Sequence, residues 1–442
     1  MLQKRIFNIL VIVLFLKLVF ALAFPLVGDE AYYWFWGQNL QLSYFDHPGM
    51  VAWLAALSDY LPITPKWAAT RLVFVALSMV AFFVWIKVFL KHRQNSPNIN
   101  QELNIFSIFF MLNPFLGLGS VLITPDSPLL LFWGLSSYFV LKIMREQKSI
   151  DYALLGVSLG LGFCSKYHIV LFPLVTIAAL YFEKNLKVFF SKKVLVTILF
   201  GLLFCSPVLI WNYQNDFASF KFQLNHGLNE AKPYQFWWTS TYLIGQVLLF
   251  NPALVFSMCF KFKKSLFNIS ALGQWLFFLY SSFKAKVEAN WPLTSHVSGL
   301  MDLDGTRKKI IRYSFFYYTI LWIGLPVFFF TDFGQKKVAA LPTSLTINEL
   351  SSELLQYQPL YGPTYQISSL LTLLTDIPVY KLHGLSRYDF FDSLPKSHPT
   401  EKLFYVLKYK SSEWPVYYEN FSKTKVTEFP KFKLEVFELR YE

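Results

Sequence analysis

The sequence predicts an all-helical polytopic membrane protein of about eleven transmembrane helices, followed by a small C-terminal α/β domain. Three observations carry this. Of 442 residues, 55% are hydrophobic and 15% charged, where soluble domains carry roughly 25% charged residues. Apolar runs of about the 17–25 residues that a bilayer requires recur over the first three quarters of the chain. Basic residues collect in the short loops between those runs, as the positive-inside bias expects. Mean hydropathy is +0.40, and the 48 phenylalanines suit lipid-facing surfaces. The same distribution reads the formal charge of +13 as loop bias and argues against nucleic acid as a partner. Cys164, Cys205 and Cys259 lie in apolar segments without disulfide or zinc spacing and read as buried thiols.

Taken in order, the first apolar run covers residues 6–27 and follows Lys4 and Arg5. The "ALA" at 21–23 resembles a signal-peptide cleavage site, but the run is long for a signal and many spans follow, so it reads as a retained helix. Its basic start places the N-terminus in the cytoplasm and Asp29 outside. Further spans are expected over 67–90, 103–122, 128–144, 194–211, 236–260, 266–283 and 310–330. The loops "KHRQ", "MREQK", "EKNLK…SKK", "KFKK" and "TRKKIIR" are basic and belong on one side. Closing that topology requires residues 152–182 to go out and return as two short helices turning near "CSKYH", with Lys166 at the outer face. It also requires 291–304 to cross, although this stretch is short and contains His296, Asp302 and Asp304. The C-terminus then lies outside. Beyond residue 330 the chain turns polar, and "KLFYVLKY" and "KFKLEVFEL" alternate as strands do. The expected division is a transmembrane domain over 1–330 and a small periplasmic α/β domain over 331–442.

Against this background a specific polar set stands out at outer loops and helix ends. "GDEAYY" supplies Asp29 and Glu30, "SYFDHPGM" supplies Asp46 and His47, and "LITPDSPLLLFW" supplies Asp126. "CSKYH" supplies Lys166, Tyr167 and His168, and "SSFKAKVEANWP" supplies Lys284, Lys286, Glu288 and Asn290. An ionisable group at bilayer depth costs roughly 2.5–3.5 kcal/mol on insertion scales, so it faces a cavity or a partner. The topology carries these stretches to one face, and that convergence suggests a site. Each residue also has a plainer reading. An acid beyond a span sits in water, Asp126 or Ser127 caps the next helix, and His47 before Pro48 makes a turn. Lys284, Lys286 and Arg71 snorkel to headgroups. The rings of "YYWFW" anchor a helix along the outer leaflet. Lys17, inside the first helix, faces the bundle.

Cations and carboxylates at a membrane face suit a substrate that is half lipid and half polar, such as a polyprenyl-phosphate-linked sugar. Lysines can stabilise the charge that develops on the departing phosphate. A carboxylate can act as general base toward the acceptor. Direct displacement at the anomeric carbon inverts its configuration.

Read in chain order, "GDEAYYWFWG…YFDHPGMVAWL", "TPDSPLLLFWGL", "GLGFCSKYHIVLF", "PVLIWNYQNDFASFKFQ" and "KVEANWP" closely resemble the bacterial membrane glycosyltransferases of the GT-C superfamily. The resemblance is to the dolichyl- or polyprenyl-phosphate-mannose protein mannosyltransferase-like family, whose relatives include the lipid A aminoarabinose transferase. It covers residues 2–292 and extends more weakly through "YGPTYQISSLL…DIPVYKLHGLSRYDFF". It implies a GT-C fold with an acidic residue of the first outer loop at the catalytic centre, here Asp29 with Glu30 beside it. It implies that Asp46, His47 and Asp126 line one cavity and that Lys166 meets the donor phosphate. Lys284, Lys286 and Arg71 are further candidates for that phosphate, and Tyr167, His168, Glu288 and Asn290 for the cavity. Some relatives bind a divalent cation near the first acid, which allows one at Asp29 or His47, although no ligand spacing demands it. Two departures are plain: "DHPG" stands where the family usually has "DHPP", and the stretch after "NWP" is short.

The expected activity is inverting transfer of a sugar from an undecaprenyl-phosphate-type donor to a lipid or envelope glycan acceptor, with lipid A a candidate, at the periplasmic side of a bacterial inner membrane. A protein O-glycosyltransferase with the same chemistry is the alternative enzyme. A lipid-linked sugar flippase or transporter is the alternative class, but its polar groups should extend through the bilayer midplane.

Overall fold

The computed structural model describes residues 2–228, 233–260, 262–303, 306–329, 331 and 343–441. The chain forms two compact units. One comprises Met1–Leu22, Gln41–Val51 and Arg71–Trp322; the other comprises Ala23–Leu40, Ala52–Thr70 and Ile323–Glu442.

The helices, in order, are α1 (Leu2–Ala23), α2 (Gly28–Gly37), α3 (Met50–Ala56), α4 (Lys66–His92), α5 (Ile99–Leu112), α6 (Asp126–Glu146), α7 (Ser149–Ser165) and α8 (Leu171–Phe182). They continue with α9 (Val194–Gln214), α10 (Ala218–Leu228), α11 (Phe236–Phe250), α12 (Pro252–Phe260), α13 (Leu266–Ser282), α14 (Leu293–Met301) and α15 (Lys308–Phe329). Among the described residues, four helices are long and apolar enough to cross a bilayer: Lys4–Ala23, α4, α6 and α9. The pair α11 and α12, bent by 98°, makes a fifth if taken as one span. The bend falls at Asn251, whose φ is 96°. Its side-chain amide donates to the Ser314 carbonyl at 2.9 Å, and its Oδ1 accepts the Ala253 amide at 3.0 Å. Broken and short helices are tolerated at membrane depth where protein neighbours satisfy the freed backbone groups.

The larger unit is built around one apolar core that includes Phe82, Trp85, Phe89, Phe106, Phe110, Trp133, Phe172 and Phe278. By contrast, α9 exposes Leu195, Leu199, Leu202 and Leu203, as a lipid-facing helix does. Pro207 inside α9 leaves the Leu203 carbonyl without its helical donor. The Ser206 hydroxyl donates to that carbonyl at 2.7 Å. Helix α7 lies tight against α9 through glycines. A Cβ at Gly160 would stand 2.6 Å from the Gly201 carbonyl oxygen, and one at Gly156 2.4 Å from that of Thr197. Small residues at this spacing let helix backbones approach in a membrane.

The basic loops meet at one end of this unit. Arg145 donates to the Lys91 carbonyl at 2.7 Å, Lys193 to that of Gln147 at 2.7 Å, and the Leu266 amide to Glu183 at 2.6 Å. His92 and Ser265 both bond Asp302, the imidazole at 2.9 Å. Arg5, at the start of α1, donates to the Asn100 carbonyl at 2.9 Å at the same end. Helix α6 starts at Asp126 and ends beside Arg145. Its 21 residues measure about 30 Å at 1.5 Å per residue, the thickness of the hydrocarbon core. Asp126 and the basic cluster therefore lie at opposite ends of a membrane-length helix.

The stretch 152–182 is two short helices, as expected. Helix α7 ends at Ser165, Lys166 is extended (φ −158°, ψ 137°), and a 3-10 turn over Tyr167–Val170 leads into α8. The expected crossing over 291–304 needs correction. Its helix, α14, has nine residues, about 14 Å, too short for a bilayer-spanning helix. It runs through the protein interior, with His296 bonded to Asn113 at 3.0 Å and to Gln246 at 2.9 Å. Asp304 lies outside the described residues. Cys164 and Cys205 are buried as expected, while Cys259 is exposed.

The smaller unit holds a five-stranded mixed sheet in the order β2-β1-β3-β5-β4. Its strands are β1 (Leu360–Gly362), β2 (Tyr380–Lys381), β3 (Leu403–Tyr409), β4 (Phe421–Phe429) and β5 (Leu434–Tyr441). β3 and β5 are the two alternating stretches read from the sequence; they pair antiparallel. A helix over Tyr365–Thr375 links the parallel strands β1 and β2. The interfacial reading of "YYWFW" is overturned. Tyr32, Tyr33, Trp34, Phe35 and Trp36 are all buried. Phe35 stacks on Phe391 at 4.5 Å, Tyr32 meets Tyr365 at 4.3 Å, and the Tyr32 hydroxyl accepts the Phe390 amide at 3.0 Å. These rings are core, not a lipid belt. Lys381 is buried with Asp389 at 2.7 Å and with Asp392.

Candidate active site

At the end of the larger unit opposite the basic loops, α6 opens on Asp126. No side-chain hydrogen bond caps this helix. Instead both carboxylate oxygens are taken by side chains: Oδ1 accepts Lys166 Nζ at 2.8 Å and Oδ2 accepts Asn290 Nδ2 at 2.6 Å. The pair is desolvated, with side chains 4% and 11% exposed. A lysine has three N–H donors. Among the described residues, Lys166 commits one, to Asp126. Its other two N–H groups find no acceptor among the described residues, although buried donors ordinarily find partners, and the Asp126 carboxylate fixes its position.

Beside it lies an apolar cavity of about 340 Å³, walled chiefly by Phe163, Leu171, Phe220, Leu224, Phe278 and Trp291. Tyr167, His168 and Gln223 also reach it. The Tyr167 hydroxyl bonds Ser219 at 2.8 Å and accepts from Asn212 at 3.4 Å. His168 Nδ1 is buried and has no protein partner among the described residues. Its ring stands 5.5 Å from that of Trp291, which in turn is 5.6 Å from His226. Lys166, His47 and His226 are its titratable neighbours. From α10, Gln223 donates to the Asp46 carbonyl and lies 3.5 Å from His47 Nδ1. Asp46 is buried.

The structure thus brings together Asp46, His47, Asp126, Lys166, Tyr167, His168 and Asn290. Within the larger unit it leaves others apart. Lys284 is exposed, and Lys286 pairs with Glu288 at 2.9 Å with both side chains about half exposed, 48% and 47%. Arg71 is fully buried and donates to the Ala21 carbonyl at 2.9 Å. That overturns its reading as a snorkelling cation. Lys17 faces the bundle, bonding the Gly117 carbonyl at 2.8 Å and Ser120 at 2.6 Å. In the smaller unit, Asp29 is exposed in the first turn of α2 and accepts from Gln366 at 3.4 Å. Glu30 is buried, and its carboxylate accepts the Val27 amide at 3.2 Å across the first turn of α2. Among the described residues, no cluster of three His, Cys, Asp or Glu is arranged to hold a metal ion.

Sequence reading missed Asn212, Ser219, Gln223, His226 and Trp291. The signal was the polar run "WNYQND" closing a long apolar helix, followed by "FKFQLNH".

Fold and motifs together resemble those of multi-pass membrane proteins of the GT-C type. The chain matches the structure of ArnT from Cupriavidus metallidurans in the apo state, with a TM-score of 0.64 and 13% identity, over 99% of this chain and 98% of that one. It matches ArnT from the same organism bound to undecaprenyl phosphate with a TM-score of 0.62 and 12% identity, over 99% and 97%. The family model for dolichyl-phosphate-mannose-protein mannosyltransferase matches residues 46–211. A curated relative, the lipid A galacturonosyltransferase RgtD of Rhizobium johnstonii, is 25% identical over 286 residues. That match covers 61% of this chain and 58% of RgtD, so this chain matches under two thirds of that relative's length. The resemblance to the GT-C glycosyltransferases read from the motifs is borne out.

Proposed function

We propose that this protein transfers a sugar from a polyprenyl-phosphate donor to a lipid-borne envelope acceptor, with lipid A the favoured candidate, in a bacterial inner membrane. The observation that carries the reading is the buried Lys166 ammonium, with two N–H groups that no described residue accepts, beside an apolar cavity of about 340 Å³. The phosphate of a prenyl carrier takes the ammonium and its first isoprene units take the cavity. The bound undecaprenyl phosphate of the ArnT structure and the lipid A named for RgtD support this choice of donor and acceptor.

In the proposed step the acceptor hydroxyl oxygen bonds to the anomeric carbon as the bond from that carbon to the phosphate oxygen breaks, with inversion. The electron pair leaves with the phosphate, and Lys166 stabilises the added charge. The acceptor proton passes to a carboxylate, for which Asp29 is proposed; Glu30 is already engaged at its helix end. Asp126 positions Lys166, and Asn290 positions Asp126. Catalysis is assigned to residues 1–330, with 331–442 a small periplasmic domain, the N-terminus cytoplasmic and the C-terminus periplasmic. The clustered basic loops support that orientation.

The test is mass spectrometry of envelope lipids and glycoproteins from cells with and without the gene. Loss of one sugar from lipid A, restored by the wild-type gene and not by Lys166→Ala, is expected. Loss from a glycoprotein with lipid A unchanged would establish the second reading, a protein acceptor, which the description of the matched family favours.

A further inference from the structure

At the basic end of the larger unit a second groove, of about 380 Å³, runs between α5 and α15. From α5 it is lined by Gln101, Asn104, Ile105, Ile108 and Phe109, and from α15 by Lys308, Ile311, Arg312 and Phe315. Each set follows the i, i+3, i+4, i+7 spacing of a single helix face. Polarity is graded along both helices in the same direction. The first turns contribute Gln101, Asn104, Lys308 and Arg312. Ile311 lies between the two cations, and beyond Asn104 and Arg312 the lining is Ile105, Ile108, Phe109 and Phe315. Arg5, bonded to the Asn100 carbonyl at 2.9 Å, adds a third cation beside the polar mouth. Among the described residues none of Arg5, Lys308 and Arg312 has a carboxylate partner. The nearby acid, Glu102, is held by Arg93 at 2.6 Å and 3.2 Å.

We infer that this groove binds an anionic glycerophospholipid of the bilayer, its phosphate against Lys308 and Arg312 and one acyl chain along Ile105, Ile108, Ile311 and Phe315. The charge of the mouth selects the headgroup, since basic pockets between membrane helices favour anionic lipids. The apolar floor, continuous with helices of membrane length, selects a tailed ligand over a free phosphate. Neither lipid nor groove is part of the proposed transfer site, which lies at the other end of α6.

The experiment uses the full-length protein in detergent, titrated with phosphatidylglycerol or phosphatidylcholine and read by native mass spectrometry. Phosphatidylglycerol should bind the wild type at least about tenfold more tightly than phosphatidylcholine. Lys308→Gln/Arg312→Gln should lose about thirtyfold in phosphatidylglycerol affinity, at roughly 1 kcal/mol per basic residue. A control pair on another basic loop, Lys187→Gln/Lys192→Gln, should lose less than threefold. The unfolding temperature without lipid verifies that each variant is folded. Equal affinity for the two lipids, an unaltered preference in the groove variant, or an equal loss in the control pair would overturn the inference. Glycerophosphoglycerol without tails binding as tightly as the lipid would overturn the assignment to a lipid.

Discussion

Replacing Lys166 by methionine removes the ammonium while keeping most of the side chain's length and apolar stem. The structure sets two separable consequences. Asp126 is left buried with one side-chain donor, Asn290 at 2.6 Å, so the fold should lose about 3 kcal/mol, the low end for breaking a buried ion pair. Turnover should fall about 10²–10³-fold, the cost of removing one preorganised group that stabilises charge developing in the transition state. A purely structural lysine would predict only the first effect. The double variant Lys166→Met/Asp126→Leu separates the two, because it removes both buried charges. Its stability loss should be smaller than the sum of the single losses by about 2 kcal/mol, while turnover stays at the level of Lys166→Met. Unfolding in detergent and initial rates against donor concentration are the assays. Turnover that recovers together with stability in the double variant, or Lys166→Met with kcat/KM within threefold of wild type, would refute the phosphate role.

Asp29→Asn should abolish transfer with expression and unfolding temperature unchanged, since Asp29 is exposed; wild-type-like turnover would remove its role as base. Trp291→Ala, which opens one wall of the apolar cavity, should raise KM for a long-chain donor by about tenfold, the worth of burying an aromatic contact surface, and leave a short-chain analogue little affected. Gly160→Leu should destabilise the fold by about 1–3 kcal/mol as α7 is forced from α9. Gly245→Leu, on a helix face with open space around it, should be silent in the same unfolding assay. Lys381→Met strands two buried carboxylates in the smaller unit and should cost about 3–5 kcal/mol, read as a lowered unfolding temperature.

Much of the site was legible because membrane physics makes polar residues conspicuous. The turn at Lys166 followed from two basic loops bracketing one apolar stretch, and the structure breaks the helix at that residue. Asp126, Lys166 and Asn290 were each singled out by their place at a helix end, and they are joined by hydrogen bonds. What was not legible depended on partners far along the chain. The rings of "YYWFW" have the composition of an interfacial belt, and nothing local shows that Tyr365, Phe390 and Phe391 cover them. The extent of the spans was obscured because protein-facing and lipid-facing helix surfaces are equally apolar. For that reason the apolar nine-residue interior helix α14 was counted as a crossing, short as the stretch is. Gln223 escaped notice because the polar run that contains it does not show its partners, and its contacts to Asp46 and His47 span about 175 residues.

The most direct test of the account is photolabelling of the full-length protein in membranes with a diazirine-bearing polyprenyl phosphate, followed by peptide mapping. The account predicts labelling of the peptides that contain Phe163–Leu171 and Phe277–Trp291, competition by undecaprenyl phosphate, and loss of that labelling in Lys166→Ala. Competed labelling confined to other helices, with those peptides unmarked, would contradict it.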